Sequence, residues 1–513
     1  MLQQILFGIS QFQHWIAHLL GLDRLELPKE FALILPQVQL GIFALGILLT
    51  DFLLDKKSRW WNAVLALAGV AFSAKALANL WGGPEPLEDV AYRGSILVDQ
   101  FAVFFGFLFL ISAALVILLS VRYLEIEEEH HGEFYALLLL ATIGMMFLAS
   151  GNDLITLFLG LETMALSFYI LSGFLRSQKA SNEGAVKYLL LGAFSSGILA
   201  YGFSLMYGIA GSTKLADIAL AIAARSPGDP LVLISLVTVS AGVFFKIAAV
   251  PFHMWAPDVY EGAPTSITAS ISVASKAASF ALLLRIFCTA FWPIRADWEM
   301  VVAGVAVASM TVGNFGAITQ DNVKRLLAYS SIGHVGYMLL GLVAGTPDGF
   351  KGIAFYLLVY VFMNTGAFAI VIILRRQGVI GDNIHDLNGL ISRRPVAAIL
   401  LLIFMLSLAG IPPTAGFIGK YFIFLSLIET RHYVLAIFAA LYVAPALYYY
   451  FRIVVHAWMK DPEGAPSPAI SLAQGVALGA CTIFILVAGL FPERFINFAG
   501  TTLRSEFLQM ILR

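Results

Sequence analysis

The stretch Ala241–Arg285 reads AGVFFKIAAVPFHMWAPDVYEGAPTSITASISVASKAASFALLLR. Lys246 stands inside an apolar run, Pro251 interrupts that run five residues later, and a polar bend follows with His253, Asp258 and Glu261. A second apolar run then carries Lys276 near its middle. In a hydrocarbon environment each of these features is costly. A lysine at the centre of a membrane helix costs about 2.5–3.5 kcal/mol on the insertion scale. A proline removes a backbone donor that lipid cannot replace. Groups kept at such cost point to use, so this stretch is the candidate functional site.

The surrounding chain supplies the membrane. Of 513 residues, 60% are hydrophobic and only 12% charged, against about 25% charged in soluble domains. The reading is an all-α polytopic membrane protein. A net charge of -1 gives no case for nucleic acid or for a polybasic lipid anchor. Cys288 and Cys481 stand alone in apolar surroundings, too few to ligate an iron–sulfur cluster without another chain and no basis for a disulfide framework. There is no dinucleotide fingerprint and no P-loop. Any redox or ATP chemistry is therefore expected on partner chains, with no cofactor and no metal here.

A span needs about 20 apolar residues, and on that ruler about fourteen transmembrane helices are expected. They lie near 32–54, 61–80, 98–121, 134–149, 153–175, 184–210, 231–250, 260–286, 299–318, 325–344, 350–374, 396–427, 433–458 and 469–490. The longest polar breaks are Trp81–Gly94 and Gly378–Pro395. Ahead of the first span, Leu2, Ile5, Ile9, Phe12, Ile16 and Leu19 share one helical face opposite Gln4, Gln11, His14 and His18. That pattern fits an amphipathic helix at the membrane surface, with a short extra span as the alternative. Counting loops alternately, one set is richer in Lys and Arg, including Lys56, Arg59, Arg176, Lys324, Arg375 and Arg393. The positive-inside rule makes that set cytoplasmic and puts both termini outside.

Four ionisable residues stand deep in these spans: Glu162 in LFLGLETMALSFYIL, Lys246, Lys276, and Lys420 in LSLAGIPPTAGFIGKYFIF. None of these deep positions holds an arginine. Lys187 and His334 lie nearer to helix ends, and His253 follows the Pro251 break. One reading makes each charge a structural clamp. The other makes them an ion path, which the prolines favour, because broken helices are tolerated where backbone lines a hydrated cavity. Burial moves a lysine's proton affinity readily, whereas arginine stays charged. A carboxylate such as Glu162 facing Lys246 at about 6 Å would interact by roughly 3 kcal/mol, enough to switch the lysine. His130 and His131 sit in an acidic loop and read as solvated. The runs GAFSSG and Ser331–Gly336 read as close helix packing.

PFHMWAPDVYEGAPT, NVKRLLAYSSIGHVGYM and LSLAGIPPTAGFIGKYFIF resemble the antiporter-like membrane subunits of respiratory complex I, the NADH:quinone oxidoreductase. VYEGAPT after the bend, and lysine rather than glutamate at 420, favour the N type over its M-type sibling; the N type is equivalent to the B type of the chloroplast and cyanobacterial complex. The resemblance runs from about Phe31 to the C-terminus. It implies two inverted five-helix repeats, each with one discontinuous helix, in agreement with Pro251 and Pro412–Pro413. The segments would be an N-terminal extension (1–30), helices 1–3 (31–133), a first repeat (134–286), a second repeat (299–458), and helix 14 with the tail (469–513). It also implies a proton path through Glu162, Lys246, Lys276 and Lys420, with Lys187 and His334 as further members; His253 is a candidate proton relay from its own place at the Pro251 break. FMN, iron–sulfur clusters and quinone would reside on partner subunits. Those partners would be the A, H, J, K, L and M types in a bacterial inner (plasma) membrane, and through them the peripheral redox arm. A cation/proton antiporter subunit of a non-redox complex is the rival reading, and an assembly scaffold is another.

Overall fold

The computed structural model describes residues 28–55, 58–81, 88–129, 131–375, 381–462, 470–505 and 507–509. The expected amphipathic extension falls almost wholly at 1–27, outside the described residues. From there the chain is a succession of long helices: α1 (Lys29–Asp51), α2 (Trp60–Asn79), α3 (Gln100–Ile126), α4 (Gly132–Ser150), α5 (Leu154–Ser172) and α6 (Lys179–Ala210). A short α7 (Leu215–Ala223) precedes α8 (Pro230–Ile247), α9 (Trp255–Gly262) and α10 (Thr265–Ala290). Then come α11 (Arg295–Ile318), α12 (Val323–Ala344), α13 (Pro347–Leu374), α14 (Pro395–Ala409), α15 (Ala415–Glu429), α16 (Tyr433–Met459) and α17 (Leu472–Leu490).

Among the described residues thirteen helices are long and apolar enough to cross a membrane. The fourteenth expected span is the α14–α15 pair, whose halves of 15 residues each are too short to cross alone. Helix starts follow local signals. Asp99, Asp153 and Asp229 accept from backbone amides of the first turns of α3, α5 and α8, and Pro230 and Pro347 occupy first-turn positions whose amide is not needed. The two discontinuous helices break alike. Ala248 (φ 58°) ends α8 and Gly410 (φ 82°) ends α14, both in the left-handed region. Each is followed by a cis prolyl bond, Val250–Pro251 and Pro412–Pro413.

From the Trp81–Gly94 break into the start of the next expected span runs an element not anticipated, a two-stranded antiparallel hairpin of β1 (Glu88–Ala91) and β2 (Ile96–Asp99), with Val90 opposite Leu97. Tyr92, Arg93 and Gly94, all at positive φ, make its turn. Four residues per strand are too few to stand out from a polar loop by pattern alone.

The apolar windows of α10 and α13 are buried along their whole length and that of α12 nearly so. These three helices form the axis of the molecule, and α1, α6 and α16 turn much of their surface outward. Ion pairs tie each end. At the end bearing Arg325 and Arg375, Glu127 accepts from Gln178 (2.7 Å) and pairs with Arg375. At the other end Arg285 of α10 forms a bidentate pair with Asp99 (2.9 and 2.7 Å) and donates to the Ala149 carbonyl at the end of α4. Phe101 and Phe507 lie against the guanidinium, each 4.7 Å from it. Arg285 is a further buried charge in these helices, one that the sequence reading does not single out: it is 1% exposed. It stands near the end of an apolar run, where a basic residue ordinarily flanks a span.

Removing one member of such a pair strands a buried charge and costs about 3–5 kcal/mol. Asp99→Asn and Arg285→Met should each lower the melting temperature of the detergent-extracted protein. The double variant, which strands neither charge, should melt above both single variants.

Candidate functional site

The four deep residues occupy four different helices: α5 carries Glu162, α8 Lys246, α10 Lys276 and α15 Lys420. All three lysines are buried, at 4%, 1% and 4% exposure. They solve the problem of burying an ammonium without a carboxylate in contact. Lys246 Nζ lies 3.2 Å from Tyr169 Oη and 3.2 Å from Ser196 Oγ. Lys276 Nζ lies 2.5 Å from Ser331 Oγ. Lys420 Nζ donates to the Ala409 carbonyl at 2.9 Å and faces the Tyr337 ring at 4.9 Å. Ala409 ends α14, so Lys420 sits at the negative end of that helix dipole.

Glu162 is within electrostatic range of Lys246 but not in ion-pair contact with it. Among the described residues its Oε1 is buried without a hydrogen-bond partner. The expected facing pair is thus a spaced pair, with Tyr169 on the same helix as Glu162 reaching the lysine instead. Tyr169 packs edge-on against Tyr188 (4.7 Å), and Tyr188 stacks on Trp255 (4.6 Å).

His334 of α12 is buried with both ring nitrogens occupied, Nδ1 by Tyr356 Oη (2.6 Å) and Nε2 by Tyr450 Oη (2.9 Å). Tyr450 also meets Ser330 Oγ. Both Lys276 and Lys420 are within electrostatic range of the imidazole. Hydroxyls accompany these groups: Tyr169 and Ser196 at Lys246, Ser331 at Lys276, and Tyr356 and Tyr450 at His334.

The two remaining sequence candidates stand apart. Lys187 lies at the surface, its side chain 43% exposed, paired with Glu183 (2.7 Å) and Asp258 (2.9 Å). Arg325 joins the same Asp258 (2.7 Å) and Glu261 (3.0 Å). This network fastens α9 to α6 and α12. His253 lies in the α8–α9 break, half-buried, with Nδ1 unpartnered among the described residues.

Several partners of the lysines were not singled out from sequence. Ser196 lies in GAFSSG and Ser331 in the segment up to Gly336, both read as packing runs. They are packing runs as well: a Cβ on Gly336 would come within 2.6 Å of the Ala306 carbonyl oxygen. His131 is also more engaged than a solvated residue, since its Nδ1 meets Arg59 at 2.7 Å. Asp51, His131 and Glu133 offer ligand atoms within 4.8 Å of one another, but the Arg59 guanidinium already opposes a cation there.

Residues 151–444 match the family described as NADH:quinone oxidoreductase/Mrp antiporter, TM. The chain belongs to the antiporter-like membrane subunits of NADH:quinone oxidoreductase. It is 55% identical over 476 residues to NADH-quinone oxidoreductase subunit N 2 of Solibacter usitatus, a match covering 92% of this chain and 97% of that protein. Among solved structures, a chain of respiratory complex I from Thermus thermophilus with bound aureothin superimposes with a TM-score of 0.76 at 32% identity, covering 90% of this chain and 98% of that one. A chain of the Mrp complex from Dietzia sp. shares the fold, with a TM-score of 0.78 at 19% identity and coverage of 94% and 100%. The N-type resemblance read from the motifs is thereby borne out, and complex I fits better than the non-redox alternative.

Gly192 lets α6 approach Tyr169 so closely that a Cβ there would lie 2.1 Å from the phenolic oxygen. Gly192→Ala should displace the hydroxyl that meets Lys246. It should then lower coupled NADH:quinone turnover in membranes as Tyr169→Phe does, with normal assembly of the complex. Unchanged turnover in both variants would make the Tyr169–Lys246 contact dispensable.

Proposed function

We propose that this chain translocates protons across a bacterial inner membrane along Glu162, Lys246, Lys276, His334 and Lys420, driven by redox chemistry on partner subunits. The observation that carries the reading is how the lysines are held. Lys246 and Lys276 rest on neutral hydroxyls, so neither is locked by a carboxylate in contact, and Glu162 acts on Lys246 only from a distance. A clamp has the reverse property, as Arg285 and Asp99 illustrate.

The spaced Glu162–Lys246 pair then works as a switch. With Glu162 ionised and Lys246 charged, the two attract across Tyr169. A change in the carboxylate's charge or position withdraws that support, and burial then favours the neutral amine. The released proton passes toward Lys276, from there to the His334 cluster, and on to Lys420. Moving one charge against 100 mV costs about 2.3 kcal/mol, comparable to a pair interaction of roughly 3 kcal/mol at moderate dielectric. Lys187 takes a positioning role in this scheme, because it fastens α9 at the helix break. His253 is placed to exchange protons at that break.

The chain would carry no redox centre of its own. Its two cysteines are buried on α10 and α17, which suits FMN, iron–sulfur clusters and quinone residing elsewhere in the complex. A, H, J, K, L and M type subunits would flank it in the membrane. The arginine- and lysine-rich end would face the cytoplasm, with both termini outside.

Lys246→Ala in the assembled complex should abolish the share of proton pumping that depends on this subunit. Lys246→Arg should fail in the same way, because arginine holds its proton. Full pumping with normal assembly in Lys246→Arg would favour a clamp instead.

A further inference from the structure

The gap between Lys276 and the His334 cluster contains two buried tyrosine hydroxyls to which the path above gives no role. Tyr260 on α9 and Tyr360 on α13 are 0% and 1% exposed. Among the described residues neither Oη has a hydrogen-bond partner. The Lys276 ammonium lies 5.8 Å from the Tyr260 ring centre, and the Tyr360 ring lies 5.2 Å from the His334 ring. Ser331 lies close enough to act on both phenols, although neither contact has full hydrogen-bond geometry. Ser331 itself cannot pass a proton on freely, because its hydroxyl donates to the Ala328 carbonyl (2.8 Å) while Lys276 occupies its other side. The imidazole nitrogens of His334 are likewise taken. Direct contacts therefore leave the junction open where proton transfer needs it closed.

One turn further along α13 the same deficit recurs. Asn364 Nδ2 donates to Ser272 Oγ (2.8 Å), but Asn364 Oδ1 and the neighbouring Thr365 Oγ1 are buried and unpartnered. Tyr356, Tyr360 and Asn364 recur at four-residue spacing and so share one face of α13. Opposite them α10 departs into a π-helical turn at Ile271–Ser275, immediately before Lys276, a distortion often found at functional sites. Native interiors pair nearly all buried polar groups, with ordered water where protein partners are lacking. The oxygens here are neutral and adjoin an ammonium, which disfavours a metal cation and suits water.

We propose that Tyr260, Tyr360 and Asn364 hold ordered water between α10, α12 and α13, and that Tyr360 is the relay residue between Lys276 and His334. This rests on the proton-path reading above. The step balances without ionising the phenol. Lys276 gives a proton to a water, that water gives one to Tyr360 Oη, and Tyr360 gives its own proton to the next water facing the Tyr356–His334 pair. The hydroxyl then turns back.

The test compares Tyr360→Phe, Tyr360→Leu and Lys276→Ala in the assembled, membrane-reconstituted complex, reading protons translocated per electron. Tyr360→Phe keeps the ring that packs on His334 and removes only the hydroxyl. It should lower the ratio to the level of Lys276→Ala. If Lys276→Ala is impaired while Tyr360→Phe matches the wild type and only Tyr360→Leu fails, the ring merely packs and this inference is overturned with the path intact. A wild-type ratio in Lys276→Ala would overturn both. Should Tyr360→Phe fail to assemble, Tyr260→Phe carries the same expectation, and a wild-type ratio there counts against the proposal.

Discussion

A charge moved into an apolar interior must find compensation, and this chain compensates its buried charges in chemically distinct ways. Arg285 meets Asp99 and a backbone carbonyl in a fully buried, bidentate arrangement. Lys420 rests on the last carbonyls of a half-helix, and Lys324 donates to the Ala263 carbonyl (3.0 Å). Lys246 and Lys276 have hydroxyls. An ion pair in low dielectric holds both partners charged, because neutralising one exposes the other. A hydroxyl accepts from an ammonium and can donate to an amine, so it tolerates both states of a lysine. Arg285 is thus held charged by its partner, whereas the hydroxyls at Lys246 and Lys276 accommodate either state.

The fold places the second kind of site on its axis. Two helices are interrupted, at Ala248 and Gly410, and the chain resumes helix after prolines. Lys246 lies just before the first break and Lys420 just after the second, so each is near backbone groups released from helical pairing. Between them stand α10, α12 and α13, the most enclosed helices. Their facing surfaces carry Lys276, Ser331, His334, Tyr356, Tyr360 and Asn364 instead of continuous aliphatic packing. Pairs such as Asp99–Arg285 and Asp258–Arg325 brace this axis from either end.

Much of this was legible in the chain itself. Lys246, Lys276, Lys420 and Glu162 stood out because a charge inside a long apolar run is rare and costly. The two broken helices were legible from Pro251 and Pro412–Pro413. The partners of the lysines and of His334 were not, since Ser196, Ser331, Tyr169 and Tyr450 are ordinary occupants of membrane helices and only tertiary contacts select them. Tyr450 lies 116 positions from the histidine it meets. Lys187 is two turns into its helix, and the sequence does not show that Glu183 of α6 and Asp258 of α9 pair with it or that its side chain is 43% exposed. Arg285 was hidden by its place near the end of a run, where arginines usually flank the bilayer.

The central claim is that the groups from Glu162 to Lys420 are joined through water and hydroxyls. An experimental map of the complex in lipid, sharp enough to resolve individual waters, tests it most directly. The account predicts ordered water density bridging Lys246 to Lys276 and Lys276 to the His334–Lys420 group. Dry, close-packed side chains across those junctions, with no space for a water molecule, would contradict it.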